Sequence, residues 1–67
     1  MVLNPLRLLR RMERLRREAL DEAQMLKRRY GDGACEAARA KLARPDLTTW
    51  HRQVMERTIK LLESNQL

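Results

Sequence analysis

The stretch PLRLLRRMERLRREALDEAQMLKRRYGDG, residues 5–33, is a long helix-forming run that stops abruptly at two glycines. Pro5 suits the first position of a helix and Asn4 is a preferred N-cap. Gly31 can adopt the left-handed conformation that ends a helix. The run therefore predicts a helix over residues 5–30, with apolar residues at steps of three and four on one face: Leu8, Met12, Leu15, Ala19, Ala23, Leu26 and Tyr30.

Two shorter helices are predicted after this stop. The Ala-rich segment 33–44 follows a cap at Asp32 and ends before a proline, which removes a backbone donor. The third helix is predicted over residues 47–63 after an Asp46 cap. The fold class is therefore all-α, a single domain over residues 1–67 with a long N-terminal amphipathic helix packed on a short C-terminal helical hairpin. The predicted core is Ala19, Ala23, Leu26, Ala38, Leu42, Trp50, Val54 and Leu61.

The turn and the last helix carry a resemblance to a known group of proteins. The residues that carry it are Tyr30-Gly31-Asp32-Gly33-Ala34, Ala37, Ala38, Trp50, Val54 and Leu61. This pattern resembles short bacterial helical-hairpin proteins of unassigned activity, in which a His/Tyr-Gly turn, an Ala-rich helix and a Trp-led final helix recur. The resemblance covers about residues 20–62 and implies the fold but no activity. Residues 1–17 lie outside it.

Positive charge is concentrated at one end of the chain. The 67 residues carry a net charge of +6, with 36% charged and 43% apolar residues. Residues 1–17 contain six Arg and one Glu, a net +5, whereas residues 18–67 contain nine basic and eight acidic residues. A basic block of this kind is typical of a segment that meets an acidic partner. The predicted contacts to that partner are Arg7, Arg10, Arg11, Arg14 and Arg17.

The first helix is longer than its domain. At 1.5 Å per residue it spans about 39 Å, whereas a compact globule of this length is about 28 Å across. A hairpin packed on its C-terminal half would leave roughly residues 5–13 unsupported. A second copy, another protein or a membrane surface is expected to cover the apolar residues there. The predicted protein-interface residues are Leu6, Leu8, Leu9, Met12 and Leu15.

Catalysis and metal binding are not predicted. A nucleophilic site would have to combine Cys35, His51 and a carboxylate, and the Ala-rich surroundings of Cys35 favour a packing role instead. One Cys and one His cannot supply a tetrahedral zinc site within one chain. The turn at residues 31–33 lacks the Lys and the spacing of a phosphate-binding loop. The chain is predicted to be no enzyme, with no cofactor, no metal and no small-molecule substrate.

Three functions remain open. The leading hypothesis is a non-catalytic protein-binding module, either a homo-oligomer or a small accessory subunit of a larger assembly. The first alternative is DNA or RNA binding through the Arg face; a helix-turn-helix over residues 38–52 is disfavoured because the third helix is too apolar. The third is an interfacial helix on an anionic membrane surface. The expected location is the cytoplasm, within a larger complex or peripheral to a membrane.

Overall fold

The computed structural model describes residues 5–64 and contains three α-helices. Helix α1 covers Pro5–Tyr30, α2 covers Ala34–Leu42 and α3 covers Thr49–Ser64, and a 3-10 turn at Gly31–Gly33 joins α1 to α2. No strand occurs within these residues, so the predicted all-α class is confirmed, with a long first helix packed on a short helical hairpin. Asn4, the predicted cap of the first helix, lies outside the described residues.

Helix α1 ends at Tyr30, as predicted, because Gly31 leaves the right-handed helical conformation. The φ angle of Gly31 is +58°, in the left-handed region that residues with a Cβ atom rarely adopt. The last turn of α1 carries Lys27, Arg28 and Arg29, whose charges are favourable at the negative end of the helix dipole. The chain bends at this turn, and α2 packs back against α1.

Helix α2 is shorter than the predicted residues 33–44 and lacks the predicted cap. Gly33 occupies the N-cap position without a side-chain hydrogen bond, and Asp32 lies inside the 3-10 turn. At the other end, the backbone N–H of Arg44 donates to a carbonyl three residues back at 3.2 Å, which tightens the chain after the last full turn. The residue before a proline is pushed out of the helical region, so α2 stops at Leu42.

Helix α3 begins at Thr49, and not two residues earlier as predicted, because its cap is Thr48 and not Asp46. The Thr48 hydroxyl oxygen accepts a hydrogen bond from the backbone N–H of His51 at 3.1 Å, which is the geometry of a helix N-cap. The carboxylate of Asp46 instead pairs with Arg44 at 3.3 Å. Asp46 therefore lies in the turn between α2 and α3, in an exposed ion pair that contributes little to stability, and the cap of the helix is Thr48.

The core is a small cluster in which short side chains allow the three helices to approach closely. Leu26 of α1, Ala34 and Ala38 of α2, and Met55 of α3 form it, each at most 3% exposed. Such a core contributes limited hydrophobic burial, as expected for a chain of this size. The predicted core residues that are buried are Ala19, Ala23, Leu26, Ala38 and Val54.

Thr58 joins α3 to α1 through a buried hydrogen bond. Its side chain is fully buried, and its hydroxyl shares a proton between the carbonyls of Val54 at 2.7 Å and Ala19 at 3.3 Å. The Val54 carbonyl satisfies the buried hydroxyl, and the longer contact with the Ala19 carbonyl shows how closely α3 approaches α1. The contact lies near the middle of α1, in residues 15–30, which pack against the other two helices and which we call the packed half.

Three predicted core residues are only half-buried, and a different side chain takes the central place. Trp50, Leu42 and Leu61 lie at the rim, whereas Met55, which is not among the predicted core residues, is fully buried. The Trp50 ring stays at the rim because its indole N–H donates to the partly exposed carboxylate of Glu18 at 2.6 Å. The flexible Met55 side chain fills the space among the helices instead.

The three helices form a thin, elongated plate. Its principal extents are 45 × 28 × 15 Å and its radius of gyration is 13.2 Å, against about 11 Å for a compact chain of this length. The accessible surface is 5737 Å², whereas a folded monomer of this mass exposes roughly 4,500 Å². The surplus exceeds the roughly 800 Å² that one partner buries in a standard protein interface.

Candidate functional site

Residues 5–14 of α1, which we call the arm, are exposed along their whole length. This segment agrees to within a residue with the predicted overhang. Leu15, the fifth predicted interface residue, is half-buried where the arm meets the hairpin. The other four, which we call the arm stripe, are more than half exposed: Leu6 at 62%, Leu8 at 60%, Leu9 at 56% and Met12 at 51%.

Leu8 and Met12 of the arm stripe continue the face that α1 buries in its second half. Residues three or four apart lie on one side of a helix, since each residue advances by about 100°. Ala19, Ala23 and Leu26 are at most 1% exposed, whereas Leu8 and Met12 are more than half exposed. One face of one helix is therefore covered over its second half and open over its first. The residues along it are Leu8, Met12, Leu15, Ala19, Ala23 and Leu26.

The arginines predicted to meet an acidic partner are all exposed: Arg7, Arg10, Arg11, Arg14 and Arg17. Arg14 pairs with Glu18 at 3.6 Å, but its side chain is 76% exposed, so this ion pair contributes little to stability. Arg10 and Arg17 form no ion pair with a carboxylate of residues 5–64. Arg10 and Arg17 therefore keep their charge available to an external anion.

Carboxylates interrupt this arginine side. One shallow surface is lined by Arg10, Glu13, Arg14, Arg17, Glu18 and Asp21. Binding to a nucleic-acid backbone depends on the number of phosphates that basic groups neutralise, so neighbouring carboxylates weaken it. A protein surface with its own arrangement of charges can match a mixed surface of this kind in register.

Trp50 marks the border between the arm and the packed half of α1. Its indole N–H donates to Glu18 at 2.6 Å, and the guanidinium carbon of Arg11 lies 5.9 Å from the ring centroid. Arg14 also pairs with Glu18, so these four side chains form one cluster. The sequence did not single out Glu18, because its partner lies 32 residues away. The available signals were the Arg14/Glu18 spacing and the need of an indole N–H for an acceptor.

The two side chains that could support nucleophilic catalysis lie on different helices of the hairpin. Cys35 is a half-buried free thiol on α2, and His51 is exposed in the first turn of α3. Within residues 5–64, no group of three or more His, Cys, Asp or Glu side chains is placed to hold a metal ion. In the same range, no helix is both long and apolar enough to cross a bilayer. The lack of catalysis stays a prediction, and the arm is the candidate site.

No protein-family model, no curated protein and no solved structure matches the chain. The resemblance to bacterial helical-hairpin proteins therefore stays a prediction from the sequence. Function has to be inferred from the chemistry of the surfaces themselves.

Proposed function

We propose that the chain is a non-catalytic helical protein-binding module, a small accessory subunit that docks another protein on the arm stripe. The observation that carries the proposal is the exposure of Leu8 and Met12, each above half, on a face that is buried further along the same helix. Exposed apolar residues at helical spacing are the usual anchors of a helix in a partner's groove. The surplus surface of the plate is sufficient for such an interface.

Charge favours a different protein over a second copy as the partner. The arm carries four Arg and one Glu, so two arms side by side would bring +3 against +3. Two of the nearby carboxylates are already engaged, Glu18 by Trp50 and Arg14, and Glu22 by a lysine of α2 at 3.0 Å. The partner that fits is a helix with an apolar stripe and acidic flanks. We place this complex in the cytoplasm.

Two synthetic helical peptides test the proposal. Both carry the same leucine stripe and no tryptophan, one with glutamate flanks and one with lysine flanks. Trp50 is the only tryptophan of the chain and lies beside Arg11, so its fluorescence reports binding at the arm. We expect the acidic peptide to bind, with an affinity that falls as salt is added, and the basic peptide not to bind. Equal binding of both peptides, or binding of neither, contradicts the proposal.

A matched pair of variants locates the contact. Met12 and Met25 lie on the same helix and are 51% and 46% exposed, but only Met12 belongs to the arm stripe. Met12→Ser should weaken the binding of the acidic peptide about tenfold, since burial of a Met side chain contributes about 1.5–3 kcal/mol. Met25→Ser should leave the affinity unchanged. Sedimentation equilibrium tests whether a second copy of the chain binds the arm stripe instead. If the chain is a dimer and Met12→Ser makes it a monomer, the partner is a second copy and the acidic-partner proposal is wrong.

Nucleic-acid binding is the alternative, supported by Arg10 and Arg17, which have no ion pair among the described residues. It predicts binding to a DNA or RNA duplex whose log affinity falls with log salt by about 0.9 per neutralised phosphate. Such binding, lost in Arg10→Gln/Arg17→Gln and kept in Met12→Ser, would overturn the protein-binding proposal. The interfacial-helix alternative predicts a different result: the parent chain floats with anionic vesicles, Met12→Ser does not, and neither peptide binds.

A further inference from the structure

We infer that the groove between the middle of α1 and the second half of α3 is a binding site for a phosphate monoester. The groove has a volume of about 550 Å³ and is lined by Arg16, Leu20, Arg57, Lys60, Leu61 and Ser64. Half of these side chains are cationic and none is acidic. The volume falls within the roughly 300–1,000 Å³ of small-molecule sites. The site is separate from the arm stripe and does not rest on the proposed function.

The cations of the groove have no carboxylate partner among residues 5–64. The ion pairs found there join other residues, and Glu63, next to the groove residue Ser64, is held by Arg39 of α2 at 3.0 Å. Glu56 stands four residues before Lys60, a spacing that favours an ion pair on a helix, yet the two do not pair. The groove therefore presents three positive charges, none of which forms an ion pair with a carboxylate of these residues.

A doubly charged phosphate fits this charge better than a carboxylate does. A phosphate monoester carries about −1.5 to −2 at pH 7 and has three acceptor oxygens. Arg16 and Arg57 can each present a planar fork to a pair of these oxygens, and Lys60 adds a compact charge. The C-terminal end of α3 opposes an anion, but its partial charge is only about −0.5. Three full positive charges outweigh it.

The remaining lining residues suit the organic part of such a ligand. Leu20 and Leu61 are half-buried and provide an apolar wall beside the cations. The Ser64 hydroxyl donates to the Leu61 carbonyl at 3.2 Å, which is long for a hydroxyl donor. This hydroxyl can turn and donate to a phosphate oxygen. The ligand expected here is a monoester with a compact apolar body, in preference to inorganic phosphate.

Phenyl phosphate and benzenesulfonate test the inference as probes of the same ring with different charge. Amide chemical shifts are followed by NMR during titration of each probe at constant ionic strength. We expect phenyl phosphate to shift the signals of Arg16, Arg57 and Ser64, and benzenesulfonate to bind about tenfold more weakly because it offers one charge. Equal affinity for the two probes, or shifts spread evenly over all arginines, would overturn the inference.

Two double variants remove the same charge from the same helices. Arg16→Gln/Arg57→Gln changes the groove, and Arg28→Gln/Arg52→Gln changes exposed arginines of α1 and α3 outside it. The first variant should weaken the binding of phenyl phosphate about tenfold or more, because charge-assisted hydrogen bonds are lost. The second variant should weaken this binding by less than about twofold. Equal losses would mean that only net charge matters and would overturn the site. Circular dichroism verifies that both variants keep their helix content.

The source of the phosphate is decided by vesicles that contain phosphatidic acid, whose headgroup is also a monoester. Binding of phenyl phosphate without binding to vesicles assigns the site to a soluble ligand. Flotation with the vesicles that depends on Arg16 and Arg57 and persists in Met12→Ser assigns it to a lipid headgroup. Binding of neither probe overturns the inference. The arm and the groove are thus tested by different variants, and failure of one leaves the other standing.

Discussion

The two halves of α1 share one face, but the half that carries the larger apolar side chains on this face is the exposed one. The packed half offers Ala19, Ala23 and Leu26, which are at most 1% exposed. The arm offers larger side chains, among them Leu8 and Met12, and leaves them more than half exposed. Hydrophobicity alone would reverse this order, since larger apolar side chains gain more from burial. The difference teaches that burial within this chain is limited by the length of the covering helices.

Length and side-chain size act together on the packed half. Helices α2 and α3 have 9 and 16 residues, against 26 in α1, so they cannot cover its whole length. Alanines at the crossing point let α3 approach α1 closely enough for Thr58 to reach the Ala19 carbonyl. Large side chains in the arm have no such neighbour to accommodate. They are available to a surface outside the chain, which is the basis of the proposed function.

The largest expected effect comes from truncating one leucine in each half. Leu26→Ala removes a side chain that is 1% exposed and should lower the free energy of unfolding by about 2–5 kcal/mol, from lost burial and the cavity left behind. Leu8→Ala, at 60% exposure, should change it by less than about 0.5 kcal/mol. Urea unfolding followed by circular dichroism measures both. Similar losses in the two variants would mean that the arm is packed in solution.

Enlarging a side chain probes the same contrast in the opposite direction. Ala23→Leu inserts methylene groups where no space is left and should destabilise the fold by about 1–3 kcal/mol. Met12→Leu, a swap of similar volume on the arm, should stay within about 0.5 kcal/mol of the parent. Thermal unfolding followed by circular dichroism measures the stability of both variants relative to the parent. A stabilised Ala23→Leu variant would show that the crossing of α1 and α3 is looser than described.

Glu18→Gln tests the border between the halves. The substitution keeps the shape but removes the charge that accepts the Trp50 indole hydrogen bond at 2.6 Å. We expect a loss of about 0.5–1.5 kcal/mol, with a shift of the tryptophan emission to longer wavelength as the ring becomes more hydrated. Asp21→Asn is the control, an exposed carboxylate of the same helix. An unchanged emission spectrum in Glu18→Gln would contradict the described position of Trp50.

The smallest expected effect is that of Arg11→Gln. The guanidinium of Arg11 lies 5.9 Å from the centroid of the Trp50 ring, and an exposed cation–π contact contributes about 0.5–1 kcal/mol. Arg10→Gln removes the same charge from the neighbouring position without a ring contact, and it should have no measurable effect on unfolding. Equal stability of the two variants would mean that the arm makes no contact with α3.

Local features were predictable from the sequence, and pairings over long distances were not. The bounds of α1 follow from Pro5, the apolar spacing and Gly31, all of which act within a few residues. The start of α3 was placed wrongly, because Asp46 and Thr48 are both preferred caps and lie two residues apart. The exposure of the arm was predictable because it depends only on comparing helix lengths.

Both clusters that bear on function depend on packing that no local pattern encodes. Trp50 was expected in the core, and its position at the rim depends on Glu18, 32 residues away. The groove combines Arg16 with Arg57, which the crossing of α1 and α3 brings to one surface. In the sequence, Arg16 is one of six arginines in a basic segment and Arg57 is one of many charges on α3. Their juxtaposition becomes visible only with the fold.

Helix α1 continues without a break from the arm into the packed half, and this continuity affects how tightly the arm can bind. An isolated peptide of the arm's length would be largely unfolded, because the first helical turn fixes several residues for a single hydrogen bond. In this chain the packed half of α1 supplies that nucleus, and the arm only extends a helix that already exists. A partner therefore meets an ordered helix and avoids most of the entropy loss that accompanies coupled folding and binding.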